Sequence, residues 1–345
     1  MSNRKPTLQD VANASGVSTA TVSRCLNQPD KVSPDLQKKI RQVIEKLGYM
    51  PDGAARALAS RRTNTIGAVV PTIDNAIFSK AIQYLQQGVA KAGYTLLLAQ
   101  SSYSMDEELL EVQALITRGI DGLVLVGEDH HPAVYAAIRQ QDIPHVNLWT
   151  YNPQSTFSCI GLNNDAAGRQ IAKHLADLGH EKIGIITGIL LNNDRAIQRY
   201  NGVLDYFKEK GIQIPEDCSE ECRYSAEQGR QAIHKLMKRY PDTTAIICGN
   251  DILAIGALSG ARELGLSVPE RLSITGFDNM EIVSAIKPAL TTMNSPSRRM
   301  GSRAANYIIE QISTNTRTVE RIELTTDLVI RETTTAAQNP IKTIS

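Results

Sequence analysis

The sequence predicts a small all-α amino-terminal domain followed by a larger α/β body of two lobes built on parallel sheets. Three observations predict it. Residues 1–50 hold three capped, helix-length segments and no strand-like run. From Thr65 onward, short apolar runs alternate with amphipathic helical stretches, the pattern of parallel strands covered on both faces. That alternation starts afresh midway, so about 270 residues contain two series rather than one.

The first helix opens at Thr7, an N-cap residue with Asp10 three positions later in the acidic version of a capping box. Leu8, Val11 and Ala12 give it an apolar face, and Gly16 ends it as a C′ residue does. Ser18 then caps a second helix through Thr19 to Leu26, with Val17 and Val22 at the spacing of a hydrophobic staple. Ser33-Pro34-Asp35 begins a third: cap, proline at the first helical position, acid in the first turn. Leu36, Ile40, Val43 and Leu47 recur at helical spacing, and Gly48 stops it. On the second helix, Val22, Cys25 and Leu26 are expected to face inward, leaving Thr19, Ala20, Thr21, Ser23 and Arg24 outside. Short side chains let a helix approach the floor of the major groove, and hydroxyls or a guanidinium bond bases and phosphates there.

Charge agrees with that partner. The 345 residues carry a net +1, but residues 1–62 hold 11 Lys or Arg against 5 Asp or Glu, and the rest 26 against 31. A head at +6 on a body at −5 meets a polyanion with the head alone. Hydrophobic residues at 42% and charged residues at 21% suit a globular chain. No apolar run approaches membrane-spanning length, and the start Met-Ser-Asn-Arg-Lys-Pro-Thr lacks a signal peptide's apolar stretch, so a cytoplasmic location without membrane contact is expected. Five scattered cysteines offer no zinc spacing, and neither a metal nor a cofactor is expected.

Between head and body, Pro51-Asp52-Gly53-Ala54-Ala55-Arg56-Ala57-Leu58-Ala59 reads as a short alanine-rich helix capped by Asp52. A helix below about 12 residues is marginal in water and orders when a partner supplies contacts. Leu58 has no local core; it is either a contact at a domain junction or a wedge for the minor groove.

Thr7-Leu-Gln-Asp-Val-Ala-Asn-Ala-Ser-Gly-Val-Ser, then Thr21-Val-Ser-Arg, Asn27, Val32-Ser33 and Leu47-Gly-Tyr-Met-Pro51 resemble the helix-turn-helix DNA-binding headpiece of the lac/gal repressor family. The resemblance implies that Thr19 and Ala20 discriminate operator bases. It also implies that Thr7, Ser18, Thr21, Ser23, Arg24 and Asn27 anchor backbone or bases. The segment at 51–64 resembles the family's hinge helix, which implies DNA contacts from Ala55 and Leu58.

In the body, Ile66–Pro71, Tyr94–Ala99, Gly122–Val126 and His145–Trp149 read as buried strands. Lys182–Thr187, Ala245–Cys248 and Leu272–Gly276 form the second series. Helices are expected at Phe78 to Ala92, Met105 to Arg118 and near Asp165–Leu178. His130-His131, before Pro132, reads as a solvated turn. Leu178-Gly-His, Arg199-x-x-Gly202, Cys248-Gly-Asn-Asp251, Val268-Pro and Ser273-Ile-Thr-Gly-Phe-Asp278 resemble the same family's effector domain. That domain is similar to type I periplasmic sugar-binding proteins, whose chain crosses between lobes three times. The resemblance implies an effector-binding and dimerisation domain over 65–335, with one lobe at about 65–163 and 293–324. The other covers about 164–291 and 325–335, and a tail occupies 336–345.

Ligands of parallel sheets sit beyond the strand C-termini. Asp278 leaves a strand and offers a carboxylate to sugar hydroxyls, while the Arg199 fork holds hydroxyls or a carboxylate. Asn250, Asp251 and Asn147 lie at strand ends, and Trp149, Tyr224 and Phe78 offer flat faces to a ring. Asn250 and Asp251 are equally suited to cap a helix, and Trp149 and Phe78 to fill a core. No phosphate-cradling loop or nucleophile elbow occurs, so catalysis is not expected. The expected molecule is a homodimeric repressor of near-palindromic double-stranded operator DNA, controlled by a sugar-like effector. The alternative is a small-molecule-binding protein without DNA function. The tail after Arg331 lacks leucine heptads, which argues against a coiled-coil tetramer.

Overall fold

The computed structural model describes residues 4–50 and 62–338. They fall into two compact units, one ending at Thr63 and the other beginning at Asn64. The expected hinge helix, with Ala55 and Leu58, lies outside the described residues.

In the first unit, α1 (Leu8–Ser15), α2 (Thr19–Asn27) and α3 (Pro34–Leu47) surround a core of Val11, Ala12, Val22, Cys25, Val32 and Ile40. The local chemistry closes as the residues dictate. Thr7 and Asp10 make both halves of the capping box, Ser18 accepts the Thr21 N–H, and Gly16 and Gly48 take left-handed conformations after their helices. Two expectations need correction. Ser33 stands at the cap position but its side chain makes no cap bond; Pro34, lacking an N–H, leaves one donor fewer to satisfy. Leu26 is exposed rather than inward, because Val22 and Cys25 already close the small core against α1.

The second unit contains strands β1 (Thr65–Val70), β2 (Thr95–Gln100), β3 (Gly122–Val126), β4 (His145–Leu148), β5 (Cys159–Gly161) and β6 (Ile183–Thr187). They continue with β7 (Ser219–Glu221), β8 (Ala245–Cys248), β9 (Ser273–Asp278), β10 (Thr291–Asn294), β11 (Arg321–Glu323) and β12 (Leu328–Val329). Its helices are α4 (Ala76–Lys91), α5 (Met105–Thr117), α6 (Pro132–Gln140), α7 (Asn164–Asp177), α8 (Asp194–Glu209), α9 (Ala226–Arg239), α10 (Asp251–Glu263) and α11 (Ser297–Thr314).

One sheet has the order β11-β5-β4-β3-β1-β2 and the other β12-β10-β9-β8-β6-β7. Every pairing is parallel except β12 on β10. The chain passes to the second sheet after β5, returns after β10 and crosses again after β11. Because Thr291–Asn294 is registered with Thr275–Asp278, the second lobe keeps the chain through Asn294, past the expected end at 291. A continuous apolar cluster runs through both lobes by way of Trp149, Phe277, Met293 and Met300.

The α7–α8 crossing explains the Arg199-x-x-Gly202 spacing. A Cβ at Gly202 would sit 2.3 Å from the Asp165 carbonyl oxygen, and one at Gly168 would sit 2.3 Å from that of Arg199. Reciprocal glycines bring the two backbones together and thereby fix the turn of α8 that carries Arg199.

Candidate functional site

On the first unit, the outer face of α2 is open. Ala20, Arg24 and Asn27 are exposed, and Thr19, Thr21 and Ser23 are half-buried. The Ser18 and Thr21 hydroxyls lie 2.9 Å apart, and Asn27 donates to the Ser23 Oγ at 3.3 Å. Thr7 is committed locally: its hydroxyl donates to Asp10 at 2.7 Å and accepts the Asp10 N–H. Gln37 donates to the Pro29 and Val32 carbonyls, both at 2.8 Å, and so braces the loop that sets α2 against α3. The face combines short hydroxyls, one guanidinium and no carboxylate, a set suited to base edges and phosphates.

On the second unit, residues at the C-terminal ends of strands from both lobes converge on a cleft with about 440 Å³ of empty space. Asn75 and Phe78 come from the start of α4 after β1, Tyr103 follows β2, and Trp149 follows β4. Arg195 and Arg199 lie on α8 after β6, Tyr224 follows β7, Asn250 follows β8, and Phe277 and Asp278 end β9. This is the position open parallel sheets reserve for ligands. Of the eight residues expected there, Phe78, Trp149, Arg199, Tyr224, Asn250 and Asp278 line the cleft.

Asn147 and Asp251 do not. Asn147 points to the other face of its strand and donates to the Tyr135 hydroxyl at 2.9 Å. Asp251 is consumed structurally: Oδ1 accepts the Thr292 hydroxyl at 2.5 Å and Oδ2 the Met280 N–H at 2.7 Å. Sequence reasoning missed Asn75, Ile77, Tyr103, Leu162, Asn164, Asn193, Arg195 and Phe277. Arg195 was findable, since one helical turn separates it from Arg199.

Arg199 lies with its Cζ 4.1 Å from the Phe277 ring centroid. Burial lowers its pKa, opposed by Asp278. Burial raises the Asp278 carboxyl well above the ordinary carboxylate range, opposed by Arg199. Burial likewise raises the Tyr103 and Tyr224 phenols. Arg195 donates through Nε (3.2 Å) and Nη2 (2.7 Å) to the Asn193 Oδ1, with Asp194 at 3.8 Å. Four buried nitrogens have no hydrogen-bond partner: Trp149 Nε1, Arg195 Nη1, Arg199 Nε and Asn250 Nδ2. Trp149 and Asp278 hold positive φ values of 60° and 113°. Such backbone costs on the order of 1–3 kcal/mol per residue and clusters where ligands are gripped.

His130 is buried, not solvated: Nδ1 lies 2.6 Å from Glu108 and Nε2 3.0 Å from the Gly127 carbonyl oxygen. His131 instead caps α6 by accepting the Ala133 N–H. Among the described residues no cluster of His, Cys, Asp and Glu fits a metal ion.

Residues 7–52 match the model for bacterial regulatory proteins of the lacI family, and residues 172–334 the periplasmic binding protein-like domain. The HTH-type transcriptional repressor PurR of Pectobacterium carotovorum subsp. carotovorum is 31% identical over 327 residues, covering 94% of this chain and 96% of its own. The chain belongs to the lacI family. Catabolite control protein A of Priestia megaterium is 28% identical to this LacI-family chain over 331 residues, 95% of the chain and 99% of the relative. The lac repressor dimer bound to operator and the anti-inducer ONPF superposes with a TM-score of 0.85 at 26% identity. That match covers 96% of the chain and all of that structure. The LacI-family assignment makes the first unit a helix-turn-helix DNA-binding domain and the protein a transcription regulator, as its relatives are. No described helix is long and apolar enough to cross a membrane.

Proposed function

We propose that this LacI-family regulator is a cytoplasmic homodimeric repressor, without catalytic activity, whose two headpieces read the halves of a near-palindromic operator. Thr19 and Ala20 select bases, while Thr7, Ser18, Thr21, Ser23, Arg24 and Asn27 hold backbone or bases; Ala55 and Leu58 act from the hinge. Phe78, Trp149, Arg199, Tyr224, Asn250 and Asp278 hold a small effector, a sugar or sugar derivative. Ligand closes the lobes, and closure changes the spacing at which the hinge segments are presented to DNA.

The observation that carries this reading is a strand-end cleft lined by both lobes, with four buried N–H groups unpartnered, in a chain that also presents an open polar α2 face. Dimerisation is supported by the similar lac repressor structure, itself a dimer on operator. A gel shift with genomic fragments tests the DNA half: retention of specific fragments over non-specific competitor is expected, and none retained overturns it. Arg199→Ala is expected to abolish the effector response while leaving operator binding by the ligand-free protein intact. An unchanged response removes Arg199 from the site.

A further inference from the structure

The cleft carries a hydrogen-bond imbalance that bears on what fills it. Trp149 Nε1, Arg195 Nη1, Arg199 Nε and Asn250 Nδ2 are all buried and unpartnered, and every one of them is a donor. The acceptors nearby are spoken for. Asn75 Oδ1 takes the Ile77 N–H, Asn193 Oδ1 takes two N–H groups of Arg195, and Asn250 Oδ1 takes the Leu253 N–H. Asp278 is the sole carboxylate in the lining, against two guanidiniums. Asp194 offsets part of the Arg195 charge at 3.8 Å, but its Oδ2 already accepts the Glu128 N–H at 3.0 Å.

We infer that the cleft takes a small polyhydroxy carboxylate, of the aldonate class, in preference to a neutral sugar or a nucleobase. This rests on the reading of the cleft as the effector site and sharpens it. A neutral sugar brings a proton with every hydroxyl, and each proton needs an acceptor the lining does not have free. A carboxylate brings two oxygens with lone pairs and no proton, which matches the guanidinium donors in number and charge. Burial favours the neutral form of Asp278, which adds to the positive balance. The hydroxyls of the same ligand satisfy Trp149 and Asn250, and the Phe78–Trp149 pair, centroids 4.9 Å apart, walls its C–H face.

Trp149 is the only tryptophan of the chain and lines the cleft, so its emission reports occupancy. The experiment titrates the full-length protein with a deproteinised bacterial metabolite extract split by anion exchange into retained and flow-through fractions. The retained fraction is expected to change Trp149 emission saturably, before and after phosphatase treatment, and the flow-through is expected to leave it unchanged. Arg195→Met and Arg199→Met are each expected to weaken that response by on the order of tenfold or more, as loss of a charge-assisted hydrogen bond does.

Response to the flow-through alone overturns the carboxylate class while leaving the effector cleft standing. Abolition by phosphatase overturns it in favour of a phosphate ester. An undiminished response in both arginine variants overturns their role as the anion's partners. Silence of both fractions, with operator binding intact, overturns the effector-cleft reading together with the inference.

Discussion

Tyr103 and Tyr224, rooted in opposite lobes, stack with ring centroids 5.4 Å apart and planes inclined by 28°. The Tyr224 ring also lies flat on Gly188, where a Cβ would approach it to 2.1 Å, and its hydroxyl accepts from Asn193 at 3.1 Å. A ring so held on one lobe gives the other lobe a fixed surface on which to close. Tyr224→Ala removes a pair worth about 0.5–1.5 kcal/mol. Effector affinity, read by Trp149 emission, is expected to fall about threefold to tenfold. Unchanged affinity would show that the stack does not support the closed form.

A second contact across the cleft involves Gly127, at φ 91°, and Asp194. A Cβ on Gly127 would stand 2.4 Å from Asp194 Oδ1, beside the bond from the Glu128 N–H to Asp194 Oδ2. Gly127→Ala is expected to hold the lobes apart, raising the radius of gyration in small-angle scattering and weakening effector binding by roughly tenfold or more. Pairing it with Asp194→Ala is expected to recover part of the loss. No recovery would place the effect in local backbone strain alone.

Asp251 gives a pH signature. Burial raises its carboxyl from the ordinary 3.8 to about 7 in the folded protein. Below the unfolded value both states are protonated and the group costs nothing. As pH rises toward 7 the unfolded state ionises first, and stability is lost. The loss amounts to roughly 4 kcal/mol across that window. Urea denaturation at pH 4.5 and pH 8 is expected to show a smaller difference for Asp251→Asn than for the unsubstituted protein. Equal differences would assign the pH dependence to other groups.

Arg24 is exposed on α2 and has no role in the headpiece core. Arg24→Ala is therefore expected to leave the melting temperature unchanged. It should weaken operator binding and reduce the slope of log affinity against log salt by about one if Arg24 contacts a phosphate. A fixed slope with relaxed base preference would assign it to a base instead.

The headpiece was legible because its signals are local: a capping box, a staple and two glycine stops each act within a few residues of the helix they bound. The long apolar strands were legible for the same reason. The short strands β5, β7 and β10 were not, since Cys159–Gly161, Ser219–Glu221 and Thr291–Asn294 hold too few residues, or too polar a set, to show a period. In the cleft, position at a strand end was readable but side-chain direction was not. Asn147 sits in a strand where one residue's shift changes faces. Asp251 is claimed by Thr292, a partner 41 positions away. His130 was misread on the same grounds, its Glu108 partner being 22 positions upstream.

The order of the strands has a consequence for how the chain is made. Each sheet is completed by pieces encoded near the end: β10 and β12 close one, and β11 the other. A ribosome that has just delivered residue 290 has therefore released two unfinished sheets, each with an open edge of the kind that pairs with other chains. Only the headpiece has its whole core in hand by then. A premature stop in this last stretch would damage both lobes at once, so truncation here is expected to yield aggregation rather than a smaller working regulator.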